Sequence, residues 1–222
     1  MKRVLRFTVL IFLCFSMNSC VLSCRDIVLS PVVGIDSSKF SEEGDYGGSN
    51  DGSSLIGLQL GVDALAPLTN QLLLEGGLRY AAKGNKTSFD DGGEFEGENY
   101  SFEDKTRLNY IDLPILARYR LGNSGFSAYG GVQPSLLLSA QQKSSGTGSA
   151  DQSIRVTDSY KTLDFAGSLG IGYQFQNGIR LNLGYDHGFS NIAKSDAFGA
   201  GAINNRTFKL SVGYTIPLKK SN

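Results

Sequence analysis

His187 is the single histidine of the chain, and it sits in Tyr185-Asp186-His187-Gly188 with Ser190 close behind. Serine, histidine and a carboxylate are the residue types of acyl-transfer chemistry, in which the base takes the nucleophile's proton and the acid orients the base. That chemistry needs the serine hydroxyl within hydrogen-bond reach of the imidazole, and nearness along the chain does not supply it. A second candidate is acidic. Asp90, Asp91, Glu94, Glu96, Glu98, Glu103 and Asp104 crowd the segment 84–106, and Glu42, Glu43, Asp45 and Asp51 lie in 36–54. Hard cations such as calcium take oxygen ligands of this kind, but the spacing matches no calcium loop. Acids interleaved with glycine read more simply as solvated surface.

The three cysteines, Cys14, Cys20 and Cys24, all fall in the first 24 residues. The body of the chain therefore carries no disulfide framework, cysteine metal site or thiol nucleophile. No glycine-rich loop follows a strand and opens a helix, so nucleotide binding has no support. Lysine plus arginine equals aspartate plus glutamate at 21 each, a balance that offers nothing to nucleic acid. No cofactor is expected and no metal ligand set is assigned.

The elements that would position any site begin after an export signal. Lys2, Arg3 and Arg6 precede the apolar run Val9 to Phe15, which is too short to span a bilayer as a helix. Residues 1–24 are read as a signal peptide, with Cys20 and Cys24, each after a serine, as imperfect lipid-acceptor positions; 25–222 form one domain. Abundant glycine (28 residues), ten tyrosines, thirteen phenylalanines and few prolines favour strands over packed helices.

Segments of period two recur along that domain. In Gln71 to Lys83, Leu72, Leu74, Leu78 and Tyr80 alternate with Glu75, Arg79 and Lys83. Arg107 to Leu121, Thr162 to Gln176, Gly178 to Phe189 and Arg206 to Leu218 repeat the pattern, and Ile27 to Ile35, Leu55 to Ala66 and Phe126 to Ala140 follow it less cleanly. The polar face is charged. Glu75, Arg79, Lys83, Asp112, Arg118, Arg120, Asp164, Arg180, Asp186 and Lys209 are expected to face inward and neutralise one another, because an unpaired charge there would cost several kcal/mol. The apolar face then meets lipid.

Connections alternate in length. Ala66 to Asn70, Gly122 to Gly125 and Gln176 to Gly178 are short turns, while 36–54, 84–106, 141–161 and 190–205 are long and polar. Together these features predict an all-β fold: an eight-stranded antiparallel up-and-down transmembrane β-barrel with long extracellular loops and short periplasmic turns. Its location would be the bacterial outer membrane.

Leu108-Asn109-Tyr110-Ile111-Asp112-Leu113-Pro114-Ile115-Leu116-Ala117-Arg118-Tyr119 resembles the fourth-strand signature of the PorT-like outer-membrane β-barrel family. Gly34-Ile35-Asp36-Ser37-Ser38-Lys39-Phe40, Glu75 to Tyr80 and Gly167 to Tyr173 fit the same family. The resemblance implies the same barrel and carries no assigned activity, though a few relatives are linked to secretion. Such barrels often end on an aromatic residue; this chain runs Tyr214-Thr215-Ile216-Pro217-Leu218 into Lys219 to Asn222.

The function expected from all of this is non-enzymatic, structural or partner-binding through surface loops. Outer-membrane lipid, the barrel-assembly machinery and a protein partner at the loops are the expected contacts. A narrow channel or a component of a secretion or assembly complex is the alternative, and a lipid-modifying enzyme using His187 is a third.

Overall fold

In the computed structural model, which describes residues 27–43, 53–91, 100–147, 149–194 and 202–216, all regular structure apart from one short 3-10 turn is β. The strands are β1 (Val28–Glu43), β2 (Ser53–Pro67), β3 (Leu72–Asp91), β4 (Tyr100–Asp112), β5 (Ile115–Arg120), β6 (Phe126–Gly146), β7 (Ser149–Arg155), β8 (Leu163–Gln174), β9 (Ile179–Gly188) and β10 (Ala202–Tyr214). Every pairing is antiparallel, and β1 closes on β10 from Val32↔Gly213 to Glu43↔Ala202. The sheet is a ring of eight antiparallel staves.

Ten strands make eight staves for two local reasons. Proline has no N–H to give a ladder, so Pro114 splits the fourth stave into β4 and β5. Alternation nevertheless runs straight through, with Asp112, Pro114 and Leu116 buried and Leu113 and Ile115 exposed, so the two halves act as one. Gly77 N–H donates to the Pro114 carbonyl at 3.1 Å. A Cβ on Gly77 would lie 2.6 Å from an Asp63 carboxylate oxygen and 3.0 Å from the Pro114 ring, so a larger residue there would have to push that ion-paired carboxylate aside. The second reason is β7, which pairs only with β6 and extends that hairpin beyond the ring.

Three expectations from sequence are corrected here. Much of 84–106 was expected as loop, yet β3 continues to Asp91 and β4 starts at Tyr100 in continuous register, Lys86↔Lys105 and Ser88↔Glu103 among the pairs. Likewise 141–161 carries the end of β6, all of β7 and a 3-10 turn, Thr157–Ser159. β1 also runs past Asp36, which places that residue in the wall and not in a loop.

The short turns close one end as expected. Leu68 and Thr69 N–H groups donate to the Leu72 carbonyl, and the Thr69 hydroxyl accepts from the Leu72 N–H at 2.9 Å. Gly122, Gly125 and Gly178 have φ of 62°, 80° and 88°, left-handed values that glycine adopts without strain. The signal segment 1–24 lies outside the described residues.

Exposure is inverted relative to a water-soluble domain. Leu58, Leu60, Leu169 and Phe208 are 67%, 63%, 60% and 62% exposed, while Glu75, Asp112 and Lys83 are 0%, 0% and 2% exposed. An apolar belt with a charged interior suits lipid outside, and ring closure leaves no backbone edge unpaired there. Leu181→Arg, near the middle of the belt, should therefore cost roughly 2–4 kcal/mol in urea unfolding from lipid vesicles. Ile154→Arg, on the exposed extension β7, should leave the unfolding midpoint almost unmoved.

Candidate functional site

The lumen holds the densest chemistry of the chain, in layers set by strand parity. Nearest the short turns, Asp63 of β2 and Glu75 of β3 hold three arginines. Arg79 Nε and Nη2 donate to the Asp63 carboxylate at 2.8 and 2.9 Å. Arg118 of β5 reaches Glu75 at 2.7 Å and the Ser127 hydroxyl at 2.9 Å, and its guanidinium stacks on the Tyr129 ring at 4.5 Å. Arg180, from β9, crosses the lumen to Asp63 at 2.9 Å and Glu75 at 3.4 Å.

The middle layer is organised by an amide. Gln133 of β6 donates to Asp112 at 3.0 Å and to Asp186 at 2.8 Å, and accepts from Lys209 at 3.0 Å. Lys83 pairs with Asp112 at 2.9 Å, Lys209 pairs with Asp186 at 2.6 Å, and the Ser168 hydroxyl donates to Asp186 at 2.6 Å. Four staves therefore meet around one glutamine. Above this layer Asp164 accepts from Ser190 at 2.5 Å and Asn205 at 2.8 Å.

Over the polar layers lies an apolar cap. Leu108, Tyr110, Leu137, Ala140, Tyr160, Ile192, Ala193 and Ile203 form a buried cluster, with Phe40 and Val156 packed against it. Burial pushes the Tyr160 phenol up to about 12. At the opposite end a cavity of about 730 Å³ opens between the turns at Gly122 and Asn177, lined by Arg118, Arg120 and Arg180 among others.

Of the ten charges expected inside, nine are buried together. Arg120 is the correction: it is exposed at the mouth of that cavity, one step beyond the last carboxylate. Asp63, Asp36 and Gln133 are among the inward groups that were not anticipated. Parity would have found Asp63, since Leu58, Leu60, Val62 and Ala64 mark the opposite face. Among the described residues the buried carboxylates are Asp36, Asp63, Glu75, Asp112, Asp164 and Asp186, against Arg79, Lys83, Arg118, Arg180 and Lys209. The odd acid is Asp36, 1% exposed, whose two oxygens have no hydrogen-bond partner among the described residues. Lys209 is its cross-strand neighbour, but the ammonium turns to Asp186.

The acyl-transfer set is not assembled. Asp186 points into the lumen, whereas His187 faces outward, with Nδ1 3.4 Å from the Tyr185 hydroxyl and 3.3 Å from Arg206 Nη1. Ser190 is occupied by Asp164. The acidic candidate also disperses. Glu103 pairs with Lys86 and Lys105, and Asp104 accepts from Gln142 and Ser144. Hydrogen bonds from Lys105 and then Lys86 hold the Glu103 carboxyl below its ordinary range. Glu42 and Glu43 end β1, and Asp90 and Asp91 end β3; Asp45, Asp51, Glu94, Glu96 and Glu98 lie outside the described residues. Among the described residues no group of three His, Cys, Asp or Glu side chains is placed to hold a metal ion.

Residues 23–194 match the family described as outer membrane protein beta-barrel domain. The chain belongs to that family. It is a small β-barrel of the bacterial outer membrane. No curated protein matches it in sequence. Among solved structures it is similar to Ail, the attachment invasion locus protein of Yersinia pestis, at 14% identity and a TM-score of 0.41, covering 85% of this chain and 99% of that one. Neisserial surface protein A is similar at 15% identity and 0.39, covering 86% and 97%. OprG from Pseudomonas aeruginosa is similar at 14% identity and 0.35, covering 86% and 95%. At such scores no function passes from these proteins to this one.

The network separates two carboxylates by what surrounds them. Glu75→Gln leaves three guanidinium groups short of one anion and should lower unfolding stability by about 3–5 kcal/mol. Asp36→Asn removes a charge that has no partner and should leave stability equal or higher at neutral pH. Urea titration of both variants in the same vesicles checks the contrast.

Proposed function

We propose that this family member is a non-enzymatic barrel that acts through its extracellular ends and not through its lumen. The observation that carries the reading is Gln133, bonded at once to Asp112, Asp186 and Lys209 from three other staves. A solute pathway would have to break that layer, the arginine layer below it and the apolar cap above it. An eight-stranded ring is just wide enough for side chains to fill, which supports a packed interior. The ten charges predicted from sequence, apart from Arg120, serve on this reading as scaffold.

The long strands support the other half of the proposal. β3, β4 and β6 carry their ladder well past the apolar belt and give any partner a built surface. An export signal at 1–24 and delivery by the barrel-assembly machinery belong to the same reading. The finer likeness of Leu108 to Tyr119 to PorT-like barrels favours a second one, membership of a secretion or assembly complex. Lipid-modifying catalysis is disfavoured by the divergent directions of Asp186, His187 and Ser190.

Purified protein in planar bilayers should give no unit conductance above the bare membrane. A steady ohmic channel in the wild type would overturn the packed-lumen reading. Replacement of His187 by alanine should leave the acylation pattern of membrane lipid unchanged. Crosslinking in native membrane should capture a partner through residues of 84–106 or 141–155, and capture only through the short turns would move the function to the periplasmic side.

A further inference from the structure

Across β1, β10 and β9 the outer wall carries one row that breaks the apolar pattern. Lys39 of β1 stands opposite Arg206 of β10, and Arg206 stands opposite His187 of β9. Parity points all three away from the lumen. The next row toward the short turns is Ser37, Phe208 and Tyr185, and the row after that is Ile35, Leu210 and Leu183. From there the wall is apolar. Lys39 lies ten residues along β1 from Leu29, the first lipid-facing position. At the usual rise and tilt that is roughly 25 Å, the height of an apolar belt. The row therefore stands at the extracellular headgroup level.

Aromatic rings mark the same level. Tyr185 packs on Phe208 with centroids 4.8 Å apart, and His187 lies 5.6 Å from Phe189. Aromatic residues gather where hydrocarbon meets headgroup. Between the rings and the cations a groove of about 370 Å³ is lined by Ser37, Lys39, Ser54, Tyr185, Arg206 and Phe208. It opens sideways, onto the face that lipid covers.

Among the described residues no acid compensates the charge in this groove. On β3 and β4, by contrast, Lys86 and Lys105 share the carboxylate of Glu103. Among the described residues neither Lys39 nor Arg206 has a carboxylate within ion-pair distance, and the side-chain hydrogen bond of Arg206 goes to His187. Two cations side by side without an acid repel each other unless an anion joins them. At this level the outer leaflet offers anionic headgroups. Ammonium, guanidinium and two serine hydroxyls are donors suited to a phosphate monoester, and the Tyr185–Phe208 wall continues below it to receive an acyl chain.

We propose that the groove between Lys39 and Arg206 binds the phosphate of an anionic outer-leaflet lipid. The site fixes the barrel's height and rotation relative to that lipid. It rests on the barrel's orientation in the membrane and is independent of what the loops bind.

The test uses the full-length protein in phosphatidylcholine nanodiscs containing 10 mol% diphosphoryl lipid A, extracted into mild detergent and weighed by native mass spectrometry. Wild type should retain lipid A at least tenfold more than dephosphorylated lipid A or phosphatidylcholine. Lys39→Gln with Arg206→Gln should lose that preference, Lys39→Arg should keep it, and Lys86→Gln with Lys105→Gln should keep it. Equal retention of the phosphorylated and dephosphorylated lipids by wild type overturns the proposal even if the double variant fails to fold. Unchanged retention in a folded double variant overturns it too. Displacement of lipid A by millimolar inorganic phosphate would also overturn it, by making the groove a free-anion site.

Discussion

Hydrocarbon offers no hydrogen-bond partner, so a sheet that crosses it must leave no strand edge open. The pairing of β1 with β10 meets that demand, and most other features follow from it. A closed ring has only an inside and an outside, and period two assigns each residue to one of them. It also has no edge at which a proline could be hidden. Pro114 is accommodated because Leu113 N–H finds the Pro134 carbonyl at 2.9 Å and Gly77 N–H finds the Pro114 carbonyl. With Gly77 packed close on Pro114, the fourth stave keeps its parity through the proline.

Closure at eight staves makes the interior too narrow for bulk water, and this governs the charges. Each inward arginine or lysine must meet an acid or a carbonyl-type oxygen from another stave. Arg180 does this across the whole lumen, so its position fixes β9 relative to β2 and β3. A register slip of one residue would turn Arg180, Asp63 or Glu75 to lipid and break its ion pairs with the others. The network thereby specifies register in addition to filling space. Asp36 departs from this rule, and the contrast with Glu75 shows that the rule is about partners and not about burial alone.

Strand number, facing and the identity of most inward charges were legible in sequence because each rests on parity, which is local. Glu75, Arg79 and Lys83 announce their face through Leu74, Leu78 and Tyr80. What escaped was whatever depended on length or distance. Nothing local says that β3 should continue to Asp91, since Gly84, Asn85 and Lys86 carry loop-like composition; the continuation comes from cross-strand pairing with β4. Gln133 gave no signal, because an uncharged amide on a strand is unremarkable until three staves converge on it. Arg120 shares the parity of Arg118 but not its depth, and parity does not encode depth. The three residues of the acyl-transfer set were close in sequence, yet alternation sends Asp186 and His187 to opposite sides of the wall.

Depth also separates the two kinds of basic residue on this barrel. Arg79, Lys83, Arg118, Arg180 and Lys209 face a narrow interior and have acids brought to them by neighbouring staves. Lys86 and Lys105 rise above the belt on the β3–β4 ribbon and share Glu103 at a partly exposed site. Lys39 and Arg206 belong to neither group. They face outward at the belt's upper boundary, where a cation is tolerated and an acid would repel the leaflet's own negative charge. Among the described residues that row holds no carboxylate, and on this proposal the leaflet supplies the counter-charge that the partner staves supply inside.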